Sequence, residues 1–247
     1  MHAIRSAALI IAAVLQIVFA IAPSLVGIEG SIGETAERNR TILVPAGYAF
    51  SIWLILYIGG IYVALWHAFR PRNPVVHRAG WLAILAFSGN AVWALHQPVF
   101  GPGLMSFVIL ECILVFAIWA GAAGRAELEP SASNRTAYGF LLALGGWITV
   151  ASPAGLSLAF GQAGMWPLFG DEQAAALIIL GIWALIALAL AFRLAALAYI
   201  IPIVWGLYAV IVMNQERPTL TMTITGLCLV FPIVTLAGKW ARRPAAA

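Results

Sequence analysis

The chain has 247 residues, of which 63% are hydrophobic and 9% charged, with a formal net charge of +4. Soluble domains carry about 25% charged residues, so the composition excludes a soluble globular protein and points to an integral membrane protein. The basic residues are spread along the chain rather than clustered, which argues against nucleic acid as a partner.

Apolar segments near the ~20 residues needed to cross a bilayer fall at roughly 5–26, 46–69, 79–98, 103–123, 137–159, 174–192, 194–213 and 219–239. The expected fold is therefore all-α, a polytopic bundle of about eight transmembrane helices. The first segment has a basic start and small residues near Ala20 and Ala22, as a signal peptide does. Its apolar run is long for that role, and Pro23 would follow the cleavage point, so it reads as a retained helix. The sixth and seventh segments are separated only near Arg193.

Orientation follows from Lys and Arg. Arg5, Arg70, Arg72, Arg78, Arg125, Arg135, Arg193, Lys239, Arg242 and Arg243 lie on the side of the N-terminus, and only Arg38, Arg40 and Arg217 lie opposite. This asymmetry predicts cytoplasmic N- and C-termini and, with no organelle signal in view, a bacterial inner (plasma) membrane. The segment 27–45 then forms an outward lid.

The second span opens with "VPAGYAFSIWLILY". Pro45 and Gly47 set the angle at which the chain joins the helix, and Phe50, Trp53 and Tyr57 recur at spacings of three and four, which places them on one stripe. Trp66, Trp81, Trp119, Trp166 and Trp240 sit near helix ends, as an interfacial aromatic belt requires. Trp53, Trp93, Trp147, Trp183 and Trp205 lie inside their spans, where each indole N–H needs a partner. Together they suggest an internal aromatic cavity, although any one of them could be bundle packing.

Glu111, in the fourth span, is the only acidic residue deep within a segment, where insertion of a charge costs about 2.5–3.5 kcal/mol. The third and fourth spans form a hairpin around "QPVFGPG", and reflection about its turn sets Glu111 at the depth of Asn90. Trp93 and Gln97 continue the Asn90 face. A carboxyl, a carboxamide and aromatic rings are therefore expected to meet in the outer half of the bundle, either as a ligand site or as a hydrogen bond that holds the hairpin together. In the fifth span, "GGWITVASPAGLS" supplies small residues for close approach and a kink at Pro153, with Thr149 and Ser152 able to satisfy freed backbone groups. Cys112 and Cys228 stand alone in apolar runs without CxxC or CxxH spacing, so neither metal nor disulfide is expected. The four histidines are scattered, and no GxGxxG, Walker or HExxH motif is present, so catalysis is not the favoured reading.

"PAGYAFSIWLILY" resembles the opening of the second helix of the TspO/MBR family, the tryptophan-rich sensory and translocator proteins, where a Pro-Pro pair precedes an aromatic residue, Phe, Trp and Tyr. Pro45, Tyr48, Phe50, Trp53 and Tyr57 take those places. "NAVW", from Asn90 to Trp93, resembles the Asn-x-x-Trp of the third helix, and "WITVAS", from Trp147, the Trp and small-residue stretch of the fifth. Ala46 stands in place of the second proline, Leu43 in place of a Trp, and the Phe-Phe-Gly after the third-helix Trp is displaced to "PVFG". The resemblance covers residues 1–160 and implies a five-helix bundle there, with residues 161–247 as a three-helix extension. It further implies binding of a tetrapyrrole such as porphyrin or haem, or a sterol-like molecule or lipid, in a pocket beneath the first loop. No cofactor is required, and pairing as a homodimer is compatible with it. The resemblance implies Pro45, Tyr48, Phe50, Trp53, Tyr57, Asn90, Trp93 and Trp147 for binding, and Glu111 joins them as a candidate through its depth opposite Asn90. Two other readings stay open: a proton-coupled secondary transporter that uses Glu111, and a structural membrane protein without a ligand.

Overall fold

The computed structural model describes residues 2–27, 32–70, 73–126 and 131–242. Arg72 and Arg243, used above for orientation, lie outside these residues, as do 28–31 of the expected lid. Nine helices run along the described chain: α1 (His2–Leu25), α2 (Ile32–Arg38), α3 (Ile52–Ala68), α4 (Pro74–Phe100), α5 (Leu104–Ala126), α6 (Ala132–Gln162), α7 (Glu172–Leu194), α8 (Leu197–Met213) and α9 (Pro218–Trp240). All but α2 correspond to the eight apolar segments. Seven stretches are long and apolar enough to cross a membrane, and α8, with 17 residues, is a shorter apolar helix. The protein is an all-helical integral membrane bundle.

The boundaries follow local chemistry. The second span starts as a single 3₁₀ turn over Gly47–Ser51 before α3 begins, with Ala46 just ahead of it at φ −56°, ψ 144°. Asp171 caps α7 by accepting from the Ala174 N–H at 2.6 Å, and Ser131 caps α6 through the Asn134 N–H at 3.2 Å. The break between α7 and α8 is made by Ala195, a non-glycine residue in the left-handed region at φ 45°. Two residues, Ala195 and Ala196, suffice there to reverse the chain.

Five helices close into a ring in the order α1, α3, α6, α5, α4. Helices α3 and α4, though consecutive, barely touch, because α1 inserts beside both. The later helices form a second layer: α8 lies along α6, and α9 packs against both α7 and α8. Helix α6 belongs to both layers and is the most buried of the spans. Two glycines permit backbone-to-backbone approach. A Cβ at Gly146 would stand 2.0 Å from the Tyr199 carbonyl oxygen, and one at Gly238 would stand 2.2 Å from that of Phe192. Small residues at helix crossings are the expected device where lipid, as apolar as leucine, gives no hydrophobic drive for association.

The candidate ligand chamber

The ring encloses a chamber of about 50 Å³ lined by Val44, Pro45, Phe50, Trp53, Trp93, Gln97, Pro102, Ser106, Phe107, Leu110, Trp147, Ala151, Ala154, Gly155 and Leu158. A water molecule needs about 10–15 Å³ of such space, and pockets for drug-sized ligands run to ~300–1,000 Å³. In this conformation the chamber holds a few waters or a small apolar group. A larger occupant requires the wall to move.

The wall is dominated by rings in contact with one another. Tyr57 stacks on Trp53 with centroids 5.5 Å apart and planes at 26°, and Trp53 stacks on Trp93 at 5.5 Å and 29°. Trp147 meets this column edge-on, 6.3 Å from Trp53 at 86°, and Phe50 meets Trp147 at 5.9 Å and 84°. Offset stacks and edge-to-face pairs are the favoured aromatic geometries. The α3 stripe read from sequence is therefore real, but its rings lie on each other rather than presenting open faces. The Trp93 indole donates to Ser106 Oγ at 3.0 Å, tying α4 to α5. Trp183 donates to the Thr149 carbonyl and Trp205 to that of Ala49.

Of the nine residues singled out from sequence, the structure brings Pro45, Phe50, Trp53, Trp93 and Trp147 to the chamber wall. The other four lie elsewhere. Tyr48 is 44% exposed and packs edge-on against Trp205 of α8. Tyr57 lies behind Trp53, where its ring lines an outer apolar groove with Ile17, Ile21, Leu54, Ile58 and Ile61. Asn90 is fully buried but turns towards α1, donating to Gln16 Oε1 at 2.8 Å. Glu111 sits on the α5–α6 seam beside Ser152, outside the chamber, and its Oε1 is buried without a hydrogen-bond partner. The expected meeting of Asn90 with Glu111 does not occur. Reflection about a hairpin turn fixes depth but not rotation about the helix axis, and α4 rotates Asn90 towards α1.

Three polar groups were not singled out as site residues. Gln16, a carboxamide in the middle of an otherwise apolar first span, is itself the signal for an interhelical partner. Ser106 and Gln97 line the chamber. Two of the chamber's polar atoms, Trp53 Nε1 and Gln97 Oε1, are buried without partners. One is a donor and the other an acceptor.

The roof is the segment 41–46, and the second layer anchors it. Thr41 Oγ1 and Ser157 Oγ lie 2.6 Å apart. The Ile42 N–H donates to Glu172 Oε1 at 3.3 Å, and Asn214 Nδ2 donates to the Ile42 carbonyl at 2.9 Å. The Ala46 N–H donates to the Ala209 carbonyl at 3.2 Å. Glu172 also accepts from the Trp166 indole and pairs with Arg217 at 3.3 Å. Among the described residues, no group of three or more His, Cys, Asp or Glu side chains is arranged to hold a metal ion.

A family model described as TSPO-like protein matches residues 4–237. The match extends past residue 160 and across the second layer. No curated protein and no solved structure matches the chain.

Proposed function

The chain belongs to the TSPO-like family, and from that premise we propose that it binds an apolar or flat amphipathic small molecule, a tetrapyrrole or sterol-like compound, in the chamber under segment 41–46. The observation that carries this reading is the pair of buried, unpartnered polar atoms, Trp53 Nε1 and Gln97 Oε1, in a largely apolar wall beneath segment 41–46. Leaving a buried donor or acceptor unpaired costs about 1–3 kcal/mol, and a ligand with one acceptor and one donor on its polar edge relieves both. The chamber must expand to admit it, either by sliding Trp93 off Trp53 or by lifting the roof. Binding, with sensing or transport as its consequence, is the activity proposed. The host is a bacterial inner membrane with both termini in the cytoplasm, as the distribution of basic residues supports.

Intrinsic tryptophan fluorescence of the detergent-purified protein, titrated with protoporphyrin IX, haem and a sterol under inner-filter correction, tests this. Saturable quenching at micromolar ligand or below, weakened in Trp53→Phe and Trp93→Phe, is the expected result. No saturable response to any of the three would sink it. The unpartnered Glu111 Oε1 favours a second reading, proton-coupled transport. That reading expects proton-dependent uptake to be lost in Glu111→Gln while fluorescence quenching is retained.

A further inference from the structure

The chamber is closed by different forces on its different sides. Hydrogen bonds to the second layer hold the roof, and stacked rings with the Trp93–Ser106 bond hold the side made by α3 and α4. Between α5 and α6 the closure depends on Phe107. Ser106 and Leu110 of α5 are buried and line the chamber, whereas Leu104 and Val108 are 67% and 46% exposed on the outer face of the helix. Phe107 stands between these two faces, half-buried, and also lines the chamber. Its ring is the boundary between chamber and hydrocarbon at this depth.

That ring rests on a notch in α6. A Cβ on Gly155 would stand 3.5 Å from Phe107 Cδ2 and 3.2 Å from Leu110 Cδ1. With no side chain on Gly155, the ring has room to swing. A phenyl group is held by dispersion contacts, so its movement breaks no hydrogen bond. Helix α8 meets α6 through Gly146 and Val150, roughly half a turn round the helix from Gly155. One turn deeper than Phe107 on the same stripe, Glu111 lies on this seam beside Ser152, with its Oε1 buried and unpartnered. A free acceptor therefore stands next to the ring.

We infer that Phe107 is a gate, and that the guest enters the chamber from the hydrocarbon between α5 and α6 rather than from water through the roof. This rests on the chamber reading given above and narrows its ligand class. The guest partitions into the bilayer, is thin enough to pass between two helices, and carries a hydrogen-bond donor such as a hydroxyl or pyrrole N–H. Such a donor is unsatisfied in hydrocarbon. Glu111 Oε1 accepts it at the entrance, and Gln97 Oε1 accepts it inside. Room within the chamber is a separate matter, met by the shift of Trp93 once the guest has passed.

The test compares rates in full-length protein held in phosphatidylcholine nanodiscs. Stopped-flow tryptophan quenching follows loading with protoporphyrin IX, and recovery of fluorescence follows its extraction by excess vesicles. The roof is locked by Thr41→Cys with Ser157→Cys in a Cys112→Ser, Cys228→Ser background, since the two hydroxyls lie 2.6 Å apart and cysteines there are within disulfide reach. Oxidised and reduced forms should load at the same rate. Gly155→Val, which wedges the ring, should slow loading roughly tenfold, the scale of one overpacked contact. Phe107→Ala should speed loading and recovery together, whereas loss of a mere wall contact speeds recovery alone. If the disulfide does not form, Asn214→Leu replaces it: entry by the roof makes that variant load faster, and entry by the seam leaves its rate unchanged. Loading slowed by oxidation, or loading unaltered in both Gly155→Val and Phe107→Ala, overturns the gate and leaves the chamber standing. No saturable quenching of the wild type removes the chamber as well.

Discussion

Single atoms set the tolerances of this bundle. At Gly146 the missing Cβ is what lets α6 lie against the α8 backbone, where even a methyl group would be 2.0 Å from the Tyr199 carbonyl oxygen. Gly146→Ala must push two backbones apart, and overpacking of this kind costs about 1–3 kcal/mol or more. Gly181, in the middle of α7, is the natural control. A Cβ there meets nothing within 4 Å, so Gly181→Ala should be neutral or stabilise by up to ~1 kcal/mol through helix propensity. Melting temperatures of the two variants in the same detergent should move in different directions, or at least by clearly different amounts. Ser106 makes a comparable point with a hydrogen bond. Ser106→Ala leaves the buried Trp93 indole N–H without its acceptor, and a loss of about 1–3 kcal/mol is expected. Trp93→Phe in the same background should recover part of that loss, because the orphaned donor goes with the indole.

Among the elements, the roof segment depends most on its neighbours. Segment 41–46 has no regular structure, and the Ile42 N–H, the Ile42 carbonyl and the Ala46 N–H are satisfied by side chains and a carbonyl of the second layer. The Glu172–Arg217 ion pair joins side chains that are 31% and 40% exposed, so it contributes at most about 1 kcal/mol. Glu172 Oε1 also accepts from the Ile42 N–H and the Trp166 indole, both partly buried bonds. Glu172→Gln keeps an acceptor for both and should behave nearly as wild type, whereas Glu172→Ala and Asn214→Leu should free the roof. Hydrogen exchange of residues 39–46 is the measurement. Exchange should accelerate in the latter two variants while the helix cores stay protected, and unchanged exchange would refute the anchoring role. This part of the architecture was poorly legible in the sequence. Eight apolar runs of near-bilayer length declared the spans, because lipid forces every backbone group into a helix of known rise. Nothing in the spacing of Asn214 or Glu172 declared that they reach back to Ile42, more than a hundred residues away. The same limit explains Asn90 and Tyr48. Their places along a helix were readable, but the neighbour each faces depends on how the helices rotate and pack.

The whole molecule is two layers that share α6, and removing one tests what holds them together. In water, deleting α7–α9 would expose a broad apolar face at large cost. In a bilayer that cost largely vanishes, because lipid covers the face as well as helices do. The penalty that remains is polar: the Thr149 carbonyl loses the Trp183 indole, Thr149 Oγ1 loses the Tyr199 hydroxyl at 3.1 Å, and Ile42 and Ala46 lose their anchors. A chain ending at Gln162 should thus still insert in the membrane but melt at a lower temperature and be cleaved by protease within 39–46. Insertion failure would instead mean that the second layer is needed for assembly. The resemblance read from residues 1–160 covers the ring, while the family match extends across both layers, consistent with a roof built from one and fastened by the other.

The column of Tyr57, Trp53 and Trp93 has its two ends in different surroundings. Tyr57 borders a groove of isoleucines and leucine between α1 and α3 that faces the hydrocarbon, and Trp93 borders the enclosed chamber. Three rings in van der Waals register cannot tilt independently, so an acyl chain wedged into the groove and a guest in the chamber press on the same object from opposite sides. Membrane thickness or fluidity then enters the affinity for the guest as a competing load, and two bilayers of different composition should give two different dissociation constants for one unchanged protein.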